Sequence, residues 1–295
     1  MSDRPREAIT SPDVVNISGI QPLSAASEIL GVRVFDVGQG DSIAILADMG
    51  GTNLVPLQLD YGGNAYNPFD QDADVDAKMP VSQNTLLMLT HWDEDHWKSA
   101  SRGSQAKRAK WLVPRQLTSP RAVTFSATVD DMHCIPETHV GRSISFVAQN
   151  GDRILAQKIG AFPGAFAKGE DCNKSGVALA IVHGTGNNAE AILLPGDAPF
   201  DKIASFVSLE KQGVKLRAIV AFHHGAATHW TNFTKDLLRN WPKAATLDVI
   251  FSCSYPNAYG HPDENRYRTL LPGATFHKTP DLRESPKAAF MDILF

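Results

Sequence analysis

A six-residue segment that follows a short apolar run constrains this chain most. The run, residues 85–90, reads Thr-Leu-Leu-Met-Leu-Thr and predicts a buried strand, because it is too short for a typical helix and contains two threonines. The next residues offer four potential metal ligands, His91, Asp93, Asp95 and His96. Imidazole and carboxylate groups together hold catalytic divalent metals. The alternative is a solvated acidic loop, but the chain has only 10 histidines in 295 residues, so two of them here favour a metal site.

Composition sets broad limits on the function. The length fits one large domain or two of ordinary size, and 43% hydrophobic residues can form a substantial core without disulfides. The 3 cysteines lack metal-type spacing, which is typical of a reducing compartment. We find no signal-like segment and no long apolar stretch, so we expect a soluble, cytoplasmic protein with no membrane partner. The net charge of −4 excludes an overall attraction to nucleic acid and leaves only a local basic patch for that purpose.

The order of elements predicts an α/β protein. Residues 1–28 are polar and contain three prolines, which predicts an N-terminal tail. Glycine-rich turns predict three hairpins, formed by 42–47 with 53–60, 144–148 with 154–159, and 177–183 with 190–194. Helices are predicted over 95–109, 199–212, 231–240 and 262–271. Hairpins that alternate with helices predict sheets covered by helices, and no linker divides residues 29–295 into two domains.

Six short segments of the chain match one known pattern when they are taken together. They read DVGQGDS (36–42), LDYGG (59–63), THWDEDH (90–96), LLPGD (193–197), FHHG (222–225) and NAYGHP (257–262). In this order they resemble the metallo-β-lactamase-like domain of ComEC competence proteins, over residues 31–277. The resemblance implies an αββα sandwich, with a metal site along one edge between the two sheets. It also implies a single domain, because both halves of the chain supply ligands.

Three further segments supply candidate site residues. Asp197 emerges from a buried strand, where a carboxylate is costly unless a cation binds it, so it is a candidate bridging ligand. His223 and His224 end the apolar run 218–222. On an extended backbone they point in opposite directions, which favours His223 as the ligand and His224 for a second contact. His261 competes with His223 or shares the site. The predicted metal ligands are His91, Asp93, Asp95, His96, Asp197 and His223. The predicted catalytic residues are Asp95 as ligand or general base, and His224 or His261 as donor to the departing oxygen.

Two departures from the wider superfamily affect the choice of metal. Asp93 stands where the commonest motif has histidine, although ComEC-type domains share the aspartate. The histidine of the third superfamily motif is missing. The corresponding position falls near residues 172–175, which contain no histidine. Oxygen-rich coordination favours manganese or magnesium over zinc. We therefore expect one or two divalent ions, manganese or zinc, with magnesium as a further possibility.

A basic segment follows the metal loop, which is formed by residues 91–96, and it bears on the choice of substrate. Residues 98–121 contain seven basic and no acidic side chains, together with Trp111, and Trp97 directly precedes them. The basic residues are Lys98, Arg102, Lys107, Arg108, Lys110, Arg115 and Arg121. Such a surface attracts a phosphodiester, and tryptophans stack on bases. We predict Arg102, Lys107 and Arg108 as substrate-binding residues. The alternative is a solvated helix face whose tryptophans pack inward.

The sequence thus predicts a metal-dependent phosphodiesterase or nuclease. One alternative is a hydrolase of a small ester, lactone or cyclic nucleotide. Another is a catalytically weak binding or regulatory protein that keeps the fold. The chain has no channel segment, so the DNA uptake associated with ComEC is not carried over.

Overall fold

The computed structural model describes residues 7–9, 17–63, 75–161, 172–254, 260–284 and 290–295. In these ranges the strands are β1 Glu7–Ala8, β2 Glu28–Phe35, β3 Ile43–Asp48, β4 Asn53–Leu59, β5 Leu86–Met88, β6 Lys110–Val113, β7 Leu117–Thr118, β8 Asp131–Cys134, β9 Ser143–Val147, β10 Arg153–Lys158, β11 Val177–His183, β12 Glu190–Leu194, β13 Lys215–Val220, β14 Lys243–Phe251, β15 Thr275–Lys278 and β16 Phe290–Leu294. The α-helices are α1 Val75–Lys78, α2 Ser104–Arg108, α3 Pro120–Ser126, α4 Ala204–Lys211, α5 Asn232–Asn240 and α6 Glu264–Leu270.

Two mixed sheets form the centre of the described structure. Each has seven strands, in the order β16-β2-β3-β4-β5-β6-β8 for the first sheet and β15-β14-β13-β12-β11-β10-β9 for the second. Both sheets combine antiparallel hairpins with parallel strands. In the first, β4, β5, β6 and β8 are parallel, and in the second β12, β13, β14 and β15 are parallel.

Three apolar layers hold the sheets and helices together. Between the sheets, Val34, Ile45 and Met88 of the first pack with residues such as Leu179 and Ile192 of the second. The outer face of the second sheet packs against α4, α5 and α6, and the outer face of the first packs against the short helices α2 and α3. Alternate side chains of a strand point to opposite faces, so a strand covered on both sides is apolar along its length, as residues 177–182 of β11 are. The predicted αββα sandwich is therefore confirmed.

Most of the predicted elements are present, and one is wrong. The three hairpins form as β3–β4, β9–β10 and β11–β12. The helices predicted over 199–212, 231–240 and 262–271 correspond to α4, α5 and α6. The helix predicted over 95–109 does not form. The chain makes two 3-10 turns, Glu94–His96 and Lys98–Ser101, before the five-residue α2.

The segment predicted as a tail contributes buried residues where the structure describes it. Leu23 and Ala26 are buried in the layer between the sheets, and Ile9 is buried beside α3. The division of the chain near residue 29 stays a prediction. No helix among the described residues is long and apolar enough to cross a membrane.

Candidate metal centre

The candidate site lies where several strands of the two sheets end. Asp60 follows β4, and His91 follows β5 after two residues; these strands are parallel. Asp197 and His223 come shortly after β12 and β13, which are also parallel. Because parallel strands end at the same edge of a sheet, chain segments far apart in sequence meet here.

Four imidazoles surround the carboxylate of Asp197. The Nε2 atoms of His96 and His224 lie 3.5 and 3.4 Å from Asp197 Oδ1. The Nε2 atoms of His91 and His223 both lie 3.7 Å from Asp197 Oδ2. The structure thus brings together four of the predicted metal-site residues with His224, which was predicted as a proton donor. Their roles as ligands stay predictions.

The Nδ1 atoms of the inner imidazoles have hydrogen-bond partners, so Nε2 carries the lone pair when these imidazoles are neutral. His96 Nδ1 donates to Asp60 Oδ2 at 2.7 Å, and His224 Nδ1 donates to the carbonyl oxygen of Ser252 at 2.9 Å. The Thr90 hydroxyl donates to Asp60 Oδ2 at 2.7 Å, so it accepts from His91 Nδ1 at 3.1 Å. An imidazole whose Nδ1–H is donated in this way is fixed in the tautomer that ligates a metal through Nε2.

Several buried polar atoms of the cluster lack a hydrogen-bond partner among the described residues. They are Asp41 Oδ1, His91 Nε2, His96 Nε2, Asp197 Oδ1 and His224 Nε2. Burying such atoms without partners costs about 1–3 kcal/mol each, so their convergence needs an explanation. Divalent cations would satisfy such atoms, because each atom can supply a lone pair, and each of these five residues belongs to at least one group whose ligand atoms are close enough to share an ion. The donor set therefore fits a metal.

Three carboxylates border the imidazoles. Asp95 Oδ2 lies 3.3 Å from His224 Nε2, and Asp93 Oδ2 lies 3.4 Å from His91 Nε2. Asp93 is half exposed and Asp95 is largely buried. Asp41 is buried deeper, with Oδ1 3.8 Å from His224 Nδ1. Asp41 belongs to two of the groups whose ligand atoms are close enough to share an ion.

The protonation of the cluster reflects its balance of charges. Burial disfavours the ionised carboxyl of Asp197, but His224, His96 and His223 hold its pKa well below the usual value. Burial disfavours the charged form of His224, but chiefly Asp197 and Asp95 raise the pKa of this imidazole to about 9. Burial raises the pKa of Asp41 to about 6. The carboxylates thus attract either protons or a cation, so metal binding here releases protons.

The His223–His224 turn differs from its predicted conformation. Both residues have left-handed backbones, with φ/ψ of 48°/48° and 54°/23°. The assumption of an extended backbone, on which only one of the two faces the metal, was therefore wrong. Both imidazoles reach Asp197. Such conformations cost roughly 1–3 kcal/mol per non-glycine residue and concentrate at functional sites.

His261 lies further from the carboxylates. Its ring centroid is 5.6 Å from that of His223, and the ring of His229 stacks on His223 at 5.4 Å. Burial, and then the charges of His223 and His224, lower the pKa of His261 to about 4. His261 is thus placed beside the cluster as a neutral imidazole. Residues 257–259 of its motif lie outside the described residues.

Two glycines let the metal loop approach the turns around it. A Cβ on Gly40 or on Gly62 would overlap the carbonyl oxygen of Asp95. That oxygen accepts a hydrogen bond from Gly63 N at 2.8 Å. Gly40 and Gly62 therefore both allow a close approach that a side chain would block.

The basic segment does not form one continuous face. Lys98 and Arg121 both pair with Glu94, each at 3.4 Å. Trp97 and Trp111 are buried, and both pack against Phe125. Base stacking on these tryptophans, one of the sequence hypotheses, was wrong because they belong to the core. Arg102, Lys107 and Arg108 lie on or beside α2, partly or fully exposed, and their role in binding stays a prediction.

Sequence reasoning assigned no role to Asp41 or Asp60. Both lie in segments that carry the family resemblance, and each carboxylate follows or lies within a turn after a strand. A carboxylate at such a position is a sequence signal for a site residue. Their partners, however, are 30 or more residues away, as for Asp60 with Thr90 and His96, and spacing along the chain does not reveal such pairs.

Comparisons with known proteins give only distant structural similarity. No protein-family model matches the sequence, and no curated protein matches it. The chain is similar to Tm1679, a metal-dependent hydrolase of the beta-lactamase superfamily, with 11% identity and a TM-score of 0.47 over 84% of this chain and 95% of that one. It is also similar to the Rm3 metallo-beta-lactamase, with 14% identity and a TM-score of 0.38 over 71% and 81%. For MEM-A1, a subclass B3 metallo-beta-lactamase from a soil metagenome library, the values are 12% and 0.36 over 86% and 87%. Similarity this distant carries no substrate or mechanism over to this chain, and the resemblance to ComEC stays a prediction.

Proposed function

We propose that this chain is a metal-dependent hydrolase of the metallo-β-lactamase superfamily. The observation that carries the proposal is the convergence of four imidazole Nε2 atoms on the buried carboxylate of Asp197, within 3.7 Å. A divalent metal held there supplies water activation and neutralises charge on the attacked group. Asp60 and Thr90 orient the imidazoles. His261, which the sequence analysis named as a proton donor, lies beside the cluster as a neutral imidazole.

The substrate that we propose is a phosphodiester, which makes the protein a phosphodiesterase or nuclease. The ComEC-like order of segments supports this proposal, as does the carboxylate-rich donor set, which suits the hard cations used on phosphates. Lys107 and Arg108 form no ion pair within the described part of the chain, so their charge is available to a polyanion.

A second candidate substrate is a small ester, lactone or cyclic nucleotide. The observation that favours it is the burial of Trp97 and Trp111, which removes the aromatic platform that sequence reasoning assigned to nucleobases. A compact substrate needs only the metal centre and a few nearby contacts.

The first prediction tests the metal centre itself. We expect protein loaded with Mn²⁺ to hydrolyse a chromogenic phosphodiester faster than protein loaded with Zn²⁺ or Mg²⁺. His96→Ala and Asp197→Ala should each remove bound metal and lower turnover by about 10³-fold or more, with similar losses because ligands act as a unit. The measurements are metal content by mass spectrometry and initial rates.

His139→Ala is the matched control, since His139 belongs to none of the candidate metal groups. A His96→Ala protein that keeps its metal and its turnover would disprove the assignment. A parent protein that binds metal but hydrolyses neither diesters nor esters would favour the binding or regulatory alternative.

The second prediction separates the two substrate classes. Charge reversal of Arg102, Lys107 and Arg108 to Glu should weaken binding of single-stranded DNA strongly at low salt and less at high salt, because fewer counterions are released. Hydrolysis of a compact diester should change little. Binding is measured by fluorescence anisotropy across a salt series. If the triple variant matches the parent at every salt concentration, the small substrate is the better proposal.

A further inference from the structure

A buried glutamine links the metal loop to the segment that precedes β11. Gln116 lies between β6 and β7 and is buried. Its Oε1 accepts from Trp92 N, within the metal loop, at 3.0 Å. Its Nε2 donates to the carbonyl oxygen of Cys172 at 2.6 Å and to the hydroxyl oxygen of Ser175 at 3.0 Å. The amide therefore uses its acceptor on one segment and its donor group on the other.

The two peptide groups that flank His91 are both held from outside the metal loop. The carbonyl oxygen of Thr90 accepts from Val177 N, at the start of β11, at 2.8 Å. On the other side, Trp92 N donates to Gln116. The backbone position of His91 thus depends on β11 and on the glutamine as well as on the loop itself.

Hydrogen bonds, not an imidazole ligand, hold residues 172–175 beside the metal loop. This segment contains no histidine, and Gln116 bonds to both of its ends. Directly after it, Gly176 packs closely: a Cβ there would lie 2.6 Å from the carbonyl oxygen of Thr90 and 3.4 Å from the Cβ of His91. A movement of this segment would therefore be transmitted to His91.

His91 depends on its backbone more than the neighbouring ligand candidate does. His91, His96 and Asp197 offer ligand atoms close enough to share an ion. His96 is oriented through Nδ1 by the carboxylate of Asp60 at 2.7 Å. His91 Nδ1 has a longer contact, 3.1 Å, with the hydroxyl of Thr90, a group that can rotate. Support of the backbone is therefore more important for placing the His91 imidazole.

We infer that Gln116 is a positioning residue of the metal centre. Its amide holds the metal loop and residues 172–175 together, and this link sets where His91 Nε2 lies relative to Asp197. Without the amide, Trp92 N and the carbonyl oxygen of Cys172 lose these partners in a buried place, so the two segments shift to find others. The inference rests on the proposed function and adds a residue that acts through the loop backbone.

The test replaces this glutamine by a side chain of similar length that forms no strong hydrogen bonds. Gln116→Met does so, because a thioether has no donor and is a weak acceptor. Gln157→Met is the matched control. Both glutamines are 1% exposed, and Gln157 Oε1 accepts from Ser205 N at 2.7 Å, in α4 on the outer face of the second sheet. Calorimetry measures the affinities for Mn²⁺ and Zn²⁺, initial rates measure turnover of a chromogenic phosphodiester, and urea unfolding measures the stability of the metal-free proteins.

We expect Gln116→Met to lower metal affinity and turnover by about 10–100-fold, because displacement of a site group by about 1 Å has effects of this order. Gln157→Met should keep the affinity and turnover of the parent, even where it loses as much stability in urea. If Gln116→Met does not fold, Gln116→Glu replaces it with the same expected loss. An ionised carboxylate still accepts from Trp92 N but cannot donate to the carbonyl oxygen of Cys172.

Parent-like metal affinity in folded Gln116→Met would overturn the inference, as would an equal loss of affinity in Gln157→Met. The affinity comparison does not depend on turnover. A parent that binds metal but hydrolyses neither diesters nor esters would contradict the proposed function, while a selective loss of affinity in Gln116→Met would still support the positioning role. A parent that binds neither Mn²⁺ nor Zn²⁺ would overturn both.

Discussion

Asp60 contacts several groups of the metal centre at once. Its Oδ2 accepts from His96 Nδ1 and from the Thr90 hydroxyl, both at 2.7 Å, and its Oδ1 accepts from Thr90 N at 2.7 Å. Through Thr90 it also fixes the tautomer of His91. Asp60 has a left-handed backbone, with φ of 56°, as both residues of the His223–His224 turn do. Strain at these positions is offset by the network that they build.

The third prediction concerns this carboxylate. Asp60→Asn should lower Mn²⁺ affinity by roughly 10–100-fold, because an amide has a single acceptor oxygen and cannot accept from His96 Nδ1, the Thr90 hydroxyl and Thr90 N together. Calorimetry measures the affinity, and folding is checked by thermal unfolding. Asp36→Asn is the control, since Asp36 is equally buried and accepts from Gly38 N in the neighbouring turn. Equal affinities in Asp60→Asn and the parent would show that Asp60 does not orient the ligands.

At the scale of elements, the metal loop and the His223–His224 turn depend on packing from outside themselves. Phe222, which precedes the turn, contacts the rings of Phe200, Trp230 and Tyr267 at centroid distances of 4.8–6.0 Å. The metal loop is held by its contact with Gly40 and Gly62. Short turns with unfavourable backbone conformations persist when their surroundings fix them in this way.

The fourth prediction tests the contact at Gly62. Gly62→Ala places a Cβ against the carbonyl oxygen of Asp95. Because that oxygen belongs to the backbone, the metal loop must move to relieve the overlap. We expect metal affinity and turnover to fall at least about 10-fold, since displacements of about 1 Å at a site are costly.

Gly51→Ala is the control. Its φ is +83° but its Cβ would meet open space, so it should cost stability, about 1 kcal/mol, and leave metal binding unchanged. Normal metal binding by Gly62→Ala would show that the loop adapts.

At the scale of the whole molecule, local signals in the sequence predicted most of the strands and helices. Contacts between distant segments determined the conformations of the metal loop and of the His223–His224 turn. The hairpins were predicted because glycine-rich turns and apolar strands are signals within a few residues. The helix over 95–109 was wrong because the loop is set by tertiary contacts, including Gly63 N with the Asp95 carbonyl oxygen. The conformation of His223 and His224 had no local signal either, since neither is a residue that favours positive φ as glycine does.

The two sheets are also tied together by a buried carboxylate, Asp152. It accepts from Ile29 N of β2 at 3.0 Å, and from His183 Nδ1 at the end of β11 and Gly184 N directly after it, at 2.9 Å each. One side chain thus joins the first sheet to two hairpins of the second. Burial opposes its ionisation, but these donors and Asn150, with the Gly184 N–H contributing most, hold the pKa of Asp152 below its usual value.

The fifth prediction follows from this lowered pKa. Because the folded-state pKa lies below the unfolded value of about 3.9, the contribution of Asp152 to stability is fully present above that value and is lost as the pH falls through the folded-state pKa. Asp152→Ala should lower the free energy of unfolding by roughly 1–3 kcal/mol at pH 7, because it leaves buried N–H groups without an acceptor. It should also make stability less dependent on pH between about 5 and 2. Urea unfolding across that pH range measures both effects.

Asp236→Ala is the control, since Asp236 is exposed and pairs only with Arg239 in the described structure. If the two variants lose stability equally and with the same pH dependence, Asp152 does not tie the sheets together.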